Sequence, residues 1–552
     1  MYMHKKFFIN AAYRQNIQSG IDKLLAVTYN KPVKSTIQLF GKKGKGLMVS
    51  GQYALIFIAG FFLYIGLMIL IAYLTSRKGT TKGEDYLMGG RNVGLLLLIC
   101  TAAATAVGTG TSVGATANGF RDGWLGAVYP LANAIGLVTV AFCFSHVRKY
   151  KFRTLCEELQ FYYDGSPYMR KFMSVVIFVV SIVWVGSAIN GGANYLAYLI
   201  GMDMIPAKII TVFAFGVYVF VGGYMAVVWT DAIQAVLLFG GFVMIAILAI
   251  PAAGGFETIK AAYEAAGNPG AMTAFGLGSK GVLGVLAVAL ASYYGAMAGP
   301  TAHMRVYTAK SPQTARKAIL IAALVVGCFS VLPAIVGMSG FTIATDMGME
   351  SVLANPDFTF AFMATTVFPP AIGLICLIAG LSAIMSSADS DAIAGVTTFL
   401  TDVYALVFKK PVEDKDIPKY SRAILVIMLA GAFGMTIFAS DIMSYINNVI
   451  GSFTPGMAVA LLVGRFWKRA TWQGGIATLA SGIVFGVCYL MIPSLNAWIT
   501  STFAGPALPV TVVTFVIGTI VSLVTPPSIH TEEERVALVL AERNQEKTAS
   551  IR

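Results

Sequence analysis

Residues 382–392 read SAIMSSADSDA: two carboxylates and four hydroxyls inside a stretch otherwise as apolar as any in the chain. AIGLICLIAGL precedes it and IAGVTTFL follows, so the segment is long enough to cross a bilayer as a helix. An ionisable residue at that depth costs roughly 2.5–3.5 kcal/mol on insertion scales and points to function by default. On a helix Ser386, Asp389 and Ser390 stand at i, i+3 and i+4 and share a face, with Ser387 beside them. The carbonyl of Ala383, one turn earlier, falls near the two hydroxyls. All these donors are oxygen, the set that hard cations take. Asp391 is turned roughly 200° from Asp389 by the 100° helical step. The plainer reading is that both acids only bond to neighbouring serines for packing.

Composition agrees with a membrane setting. Of 552 residues 57% are hydrophobic and only 12% charged, with a mean hydropathy of +0.75, whereas soluble domains carry about 25% charged residues. Six scattered cysteines form no CxxC pair and imply no disulfide framework. Four histidines without metal-ligand spacing argue against zinc, and no His-based or Ser/His constellation supports an enzyme. The net charge of +13 does not imply a nucleic-acid partner, because Lys and Arg cluster in short loops between apolar runs, as the positive-inside rule expects.

Thirteen apolar runs are long enough to span, which makes the fold an all-α polytopic membrane protein. The loops SRKGTTKGEDYLMGGR, HVRKYKFR, HMRVYTAKSPQTARK, FKKPVEDKDIPKYSR and GRFWKR fall on one side in this count. That side is expected to be the cytoplasm, with the N-terminus outside and the C-terminus inside a plasma membrane. The division is a basic N-terminal extension (1–51), a transmembrane domain (52–526) and a charged cytoplasmic tail (527–552), read as a solvated helix. The extension conflicts with the topology: residues 1–47 hold nine Lys/Arg and one acid, Asp22, on the side assigned outside. Translation beginning at Met48 is one account, a surface-bound amphipathic arm the other.

Two spans are interrupted. In TAVGTGTSVG, Gly108, Gly110 and Gly114 alternate with Thr105, Thr109, Thr111 and Ser112; glycine costs about 1 kcal/mol against alanine in a helix, and the hydroxyls can satisfy freed carbonyls. Five helices later YYGAMAGPTAHMR carries Gly295, Gly299 and Pro300. Broken helices at corresponding places in two halves point to the binding site of a secondary transporter, although close helix packing also uses such glycines. A further acid, Asp231, opens the sixth span in WTDAIQ, where a first-turn acid favoured by the helix dipole is the alternative.

These segments together, TAVGTGTSVG, GGRNVG, WTDAIQ and SAIMSSADS, resemble the solute:sodium symporter family from about residue 52 to 526, and within it the branch with high-affinity choline transporters. The resemblance implies an inverted five-plus-five repeat, each half opening on a broken helix. It implies one sodium on the carbonyls of Ala104, Val107 and Ala383 and the hydroxyls of Ser386 and Ser387. Asp231, Asp389 and Ser390 match a second cation site that some members have. Ala106 and Gly299 stand where choline carriers place aromatic groups, so a cage for a quaternary ammonium lacks two walls and choline is disfavoured.

The expected activity is sodium-coupled uptake of a small organic solute by alternating access. No cofactor is expected beyond the coupling ion, no partner beyond solute and membrane lipid, and the transport unit is a monomer. A proton-coupled symporter of the same fold or a channel-like facilitator is the alternative. The expected substrate pocket holds Thr109, Thr111, Trp184, Tyr294 and His303, and Asp391 is assigned to structure or an exit path.

Overall fold

The structure, a computed structural model, describes residues 51–77, 83–221, 223–408, 412–437 and 442–549. Met48 and the basic extension, Gly51 apart, lie outside them. The described residues are helical throughout apart from turns, connecting segments and an isolated bridge between Val93 and Ala309. That is what lipid demands of a spanning backbone, since each N–H and C=O must be bonded within its own segment.

Eleven helices among the described residues are long and apolar enough to cross a membrane, and two shorter apolar helices, Leu95–Ala106 and Met204–Gly216, accompany them. Helix α1 (Gly51–Arg77) comes first. The first repeat opens on a broken helix, α2 (Leu95–Ala106) and α3 (Ala115–Asp122). It continues through α4 (Val128–Cys143), the short connecting helix α5 (Leu155–Tyr162), α6 (Pro167–Ile200), α7 (Met204–Val221) and α8 (Tyr224–Ala252). The second opens on α9 (Leu277–Met297) and α10 (Pro300–Thr308). A span interrupted at Ser330 follows, α11 (Pro312–Phe329) with α12 (Val331–Met347). Then come α13 (Pro370–Thr398), α14 (Ile417–Thr436) and α15 (Gly451–Phe466). Helices α16 (Trp472–Met491) and α17 (Ala507–Val524) complete the bundle.

Both breaks lie where the glycines lie. After Ala106 the backbone leaves α geometry at Val107 (φ −95°, ψ 66°) and passes through a π turn at Gly110–Gly114. Thr111 Oγ1 donates to the carbonyls of Ala106 and Gly108 at 2.9 and 3.1 Å, and Ser112 Oγ to that of Gly108 at 2.7 Å. In the second repeat, Gly299 (ψ 131°) separates α9 from α10, which restarts with Pro300 in its first turn, where no N–H is needed. The carboxylate-bearing helix α13 is central, packed against α1, α2, α6 and α8.

Basic loops meet at one end. Arg91 Nη1 donates to the carbonyl of Phe152 at 3.0 Å, Arg148 Nη2 to that of Arg91 at 3.2 Å, and the amide of Val93 to the carbonyl of Thr308 at 3.2 Å. The tail helix α18 (Glu532–Ala549) docks there and is not solvated all round, as the sequence had suggested. Val539 is fully buried, Gln160 Nε2 donates to Glu542 at 2.6 Å, and the Arg543 guanidinium pairs with Glu157 of α5. Burial by itself pushes the Glu157 carboxyl up, but Arg543 and Arg170 outweigh it and hold it below the usual carboxylate range.

Candidate functional site

The two breaks face each other across a cavity, and α13 runs along it. Ser386 Oγ donates to the carbonyls of Ala104 and Ala383, at 3.0 and 3.2 Å. Ser387 Oγ donates to the carbonyl of Thr105, at 2.8 Å. Val107, fully buried, closes the same turn, its amide bonded to the carbonyls of Ala103 and Ala104 at 3.2 Å each. A cluster of carbonyl and hydroxyl oxygens thus joins the end of α2 to α13, a donor set for a hard monovalent cation. Gly108 makes the approach possible: a Cβ there would fall 2.4 Å from Ser387 Oγ.

One turn along α13, the group around Asp231 has an occupant that the sequence reading did not place there. Asp231, fully buried on α8, accepts from Thr101 Oγ1 at 2.5 Å and from Ser390 Oγ at 3.4 Å. Arg305 of α10, 1% exposed, sends Nη2 into the same cluster. Asp389, one residue before Ser390 on α13, is also fully buried. HMRVYTAKSPQTARK, read from sequence as one basic loop, therefore begins inside the protein. A charge directly after a proline-started helical turn was the available signal, masked by the lysines that follow it.

The cavity is walled by Ala106, Gly108, Thr109, Gly110 and Thr111 from the first break and by Gly295, Gly299 and Thr301 around the second. Helix α4 adds Tyr129 and Asn133, α6 adds Trp184 and Ser187, and α13 adds Ser387 and Asp391. Thr109, Thr111 and Trp184 of the expected pocket line it, whereas Tyr294 and His303 do not. His303 is fully buried towards the loop end, with Nδ1 2.8 Å from Glu158 Oε2 and Nε2 3.0 Å from the carbonyl of Met297. Asp391, assigned from sequence to structure or an exit path, stands in the cavity wall one turn beyond Ser387. Three polar atoms of lining residues, Thr109 Oγ1, Asn133 Oδ1 and Arg305 Nε, have no hydrogen-bond partner among the described residues. Unmet buried groups of that kind are the ones a bound solute would satisfy.

The chain is similar to known proteins over most of its length. A family model described as the sodium:solute symporter family matches residues 86–482. The high-affinity proline transporter PutP of Bacillus subtilis is 24% identical over 455 residues, covering 79% of this chain and 94% of that protein. The sodium/pantothenate symporter of Haemophilus influenzae is 25% identical, covering 75% and 88%, and the sodium/glucose cotransporter of Vibrio parahaemolyticus 26%, covering 78% and 84%. Among solved structures, a substrate-bound outward-open Na+-coupled sialic acid symporter superposes with a TM-score of 0.67 at 20% identity, covering 86% of this chain and 99% of that one.

Proposed function

This chain belongs to the sodium:solute symporter family, and from that premise we propose how its sites divide the work and what kind of solute it carries. The protein is a multi-pass membrane transporter that takes up a small organic solute coupled to sodium by alternating access. Sodium binds at the carbonyls of Ala104, Val107 and Ala383 and the hydroxyls of Ser386 and Ser387. The observation that carries this is the convergence of Ser386 on the carbonyls of Ala104 and Ala383. An ion there ties α13 to the first broken helix, and it favours whichever state brings those oxygens together, since a ligand shifts an equilibrium only through differential affinity. The end carrying the basic loops and the docked tail faces the cytoplasm, by the positive-inside rule.

The solute binds between the breaks and is amino-acid-like. Asp391 presents a carboxylate in the cavity wall and Arg305 Nε an unused donor. A zwitterion answers both: its ammonium group goes to Asp391, and its carboxylate to Arg305 Nε with Thr109 Oγ1. Trp184 supplies an apolar wall. Of the relatives, the proline transporter is named for a zwitterion, the glucose cotransporter for a neutral sugar. The protein reconstituted in liposomes should accumulate a labelled amino acid, from a panel that includes proline, only under an inward sodium gradient. Equal uptake without sodium would sink the coupling, and accumulation of glucose with no amino acid accumulated would sink the solute class.

A further inference from the structure

Nη2 of Arg305 lies 2.5 Å from Ser390 Oγ, 2.7 Å from Thr105 Oγ1, 2.9 Å from Thr101 Oγ1 and 3.3 Å from Asp231 Oδ2. Four oxygens from α2, α8 and α13, one of them a fully buried carboxylate, enclose a single nitrogen. This all-oxygen shell with one formal negative charge is what a hard monovalent cation also seeks. A guanidinium is weakly hydrated, keeps its charge at any physiological pH and fans its donors in a plane, so it can fill such a shell where water is excluded. Nη1 meanwhile anchors the group to its own helix by donating to the carbonyl of Thr301 at 3.3 Å.

We propose that Arg305 is a tethered cation that permanently fills the pocket around Asp231, leaving sodium only the serine-pair site; the proposal rests on the sodium-coupled reading above. Three consequences follow from the geometry. A charge bonded to α10 leaves with neither sodium nor solute, so the pocket adds nothing to the ions carried per solute. A second alkali ion is kept out, because it would meet a like charge at contact distance in a low dielectric. The two sites also share Thr105, whose carbonyl accepts from Ser387 and whose hydroxyl accepts from Arg305. The second broken helix is thereby fastened to the oxygen cluster of the first, and a shift of α10 would withdraw a cation from Asp231 and disturb the serine pair together.

The test needs no solute. Binding of radioactive sodium to the purified full-length protein is counted per chain for the wild type and for Arg305→Ala. The wild type should hold a single sodium, lost in Ser386→Ala/Ser387→Ala. The Arg305→Ala variant should hold a second sodium, displaced by millimolar guanidinium ion, and lose it when Asp231→Asn is added. A wild type that binds two sodium ions overturns the tethered cation, and this count does not depend on the variant folding. So does an Arg305→Ala protein that keeps the serine-pair sodium but gains no second ion and ignores guanidinium. A wild type that binds no sodium at all overturns instead the sodium-coupled reading on which the proposal stands.

Discussion

Ser387 Oγ and the carbonyl of Thr105 stand 2.8 Å apart, a contact closed between residues 282 positions distant in the chain. It is one of the direct polar links between α13 and the first broken helix, and it lies at the proposed sodium site. Removing the hydroxyl takes away a proposed ion ligand and a bond between the two helices. Ser387→Ala should raise the half-saturating sodium concentration roughly tenfold to hundredfold, the equivalent of the 1.5–3 kcal/mol of a hydrogen bond to a charged group. Sodium titration of binding or uptake reads it, and an unchanged midpoint would remove Ser387 from the site.

Gly108→Ala attacks the same site by space alone. The added methyl group would lie 2.4 Å from Ser387 Oγ and 2.9 Å from its Cβ, so the serine must rotate away or the helices must part. Overpacking of this kind costs about 1–3 kcal/mol. Sodium affinity should fall to the level of Ser387→Ala, and the double variant should be little worse than either single one, because both act on one contact. Full additivity would show that the glycine serves something else.

Asp391 is proposed to serve the solute and not the sodium site. Asp391→Asn should weaken solute binding at least about tenfold, by loss of a charge-assisted bond, while sodium binding persists. If Asp391→Asn abolishes sodium binding and leaves solute affinity intact, the solute assignment is wrong.

Asp231→Asn leaves the buried Arg305 guanidinium without its counter-charge. The expected cost is about 3–5 kcal/mol, as for other buried pairs stripped of one partner. Asp231→Asn/Arg305→Gln should recover part of it, since neither charge is then stranded. Thermal unfolding in detergent gives the comparison; a double variant as unstable as the sum of the singles would deny that the two residues act as a pair.

The tail contact has a pH sign. Glu157 is held below its ordinary range by Arg543 and Arg170 against the opposing effect of burial. A carboxyl with a depressed folded value stabilises above its unfolded value and loses that contribution as pH falls through the folded one. Docking of α18 should therefore hold at neutral pH and weaken below about pH 4.5, the ordinary range of a glutamate. Hydrogen exchange of the tail backbone should rise there, and in Arg543→Ala should already be raised at pH 7. Exchange that is insensitive to both would show that contacts other than the Glu157–Arg543 pair hold the helix.

The span pattern, the two breaks and the oxygen face of α13 were legible in the sequence because each follows from local quantities. These are the apolar run needed to cross a bilayer, the cost of glycine inside a helix, and the 100° step that sets Ser386 and Ser390 on one side. That step gives angles between residues of one helix but not the direction the helix faces in the bundle. Asp391 could therefore be set apart from Asp389 by sequence, yet only the packing of α13 against α2, α6 and α8 decided that Asp391 meets the cavity. Arg305 was hidden for a related reason. A basic residue beside a lysine-rich loop looks solvated by composition, and its depth depends on how the chain restarts after Gly299 and where α10 then points. The same holds for His303, withdrawn to Glu158, and for α18, whose charged sequence found an oppositely charged partner on α5. Helices and their interruptions are set by neighbours in sequence; the partner of each buried charge is set by neighbours in space, which only the tertiary fold supplies.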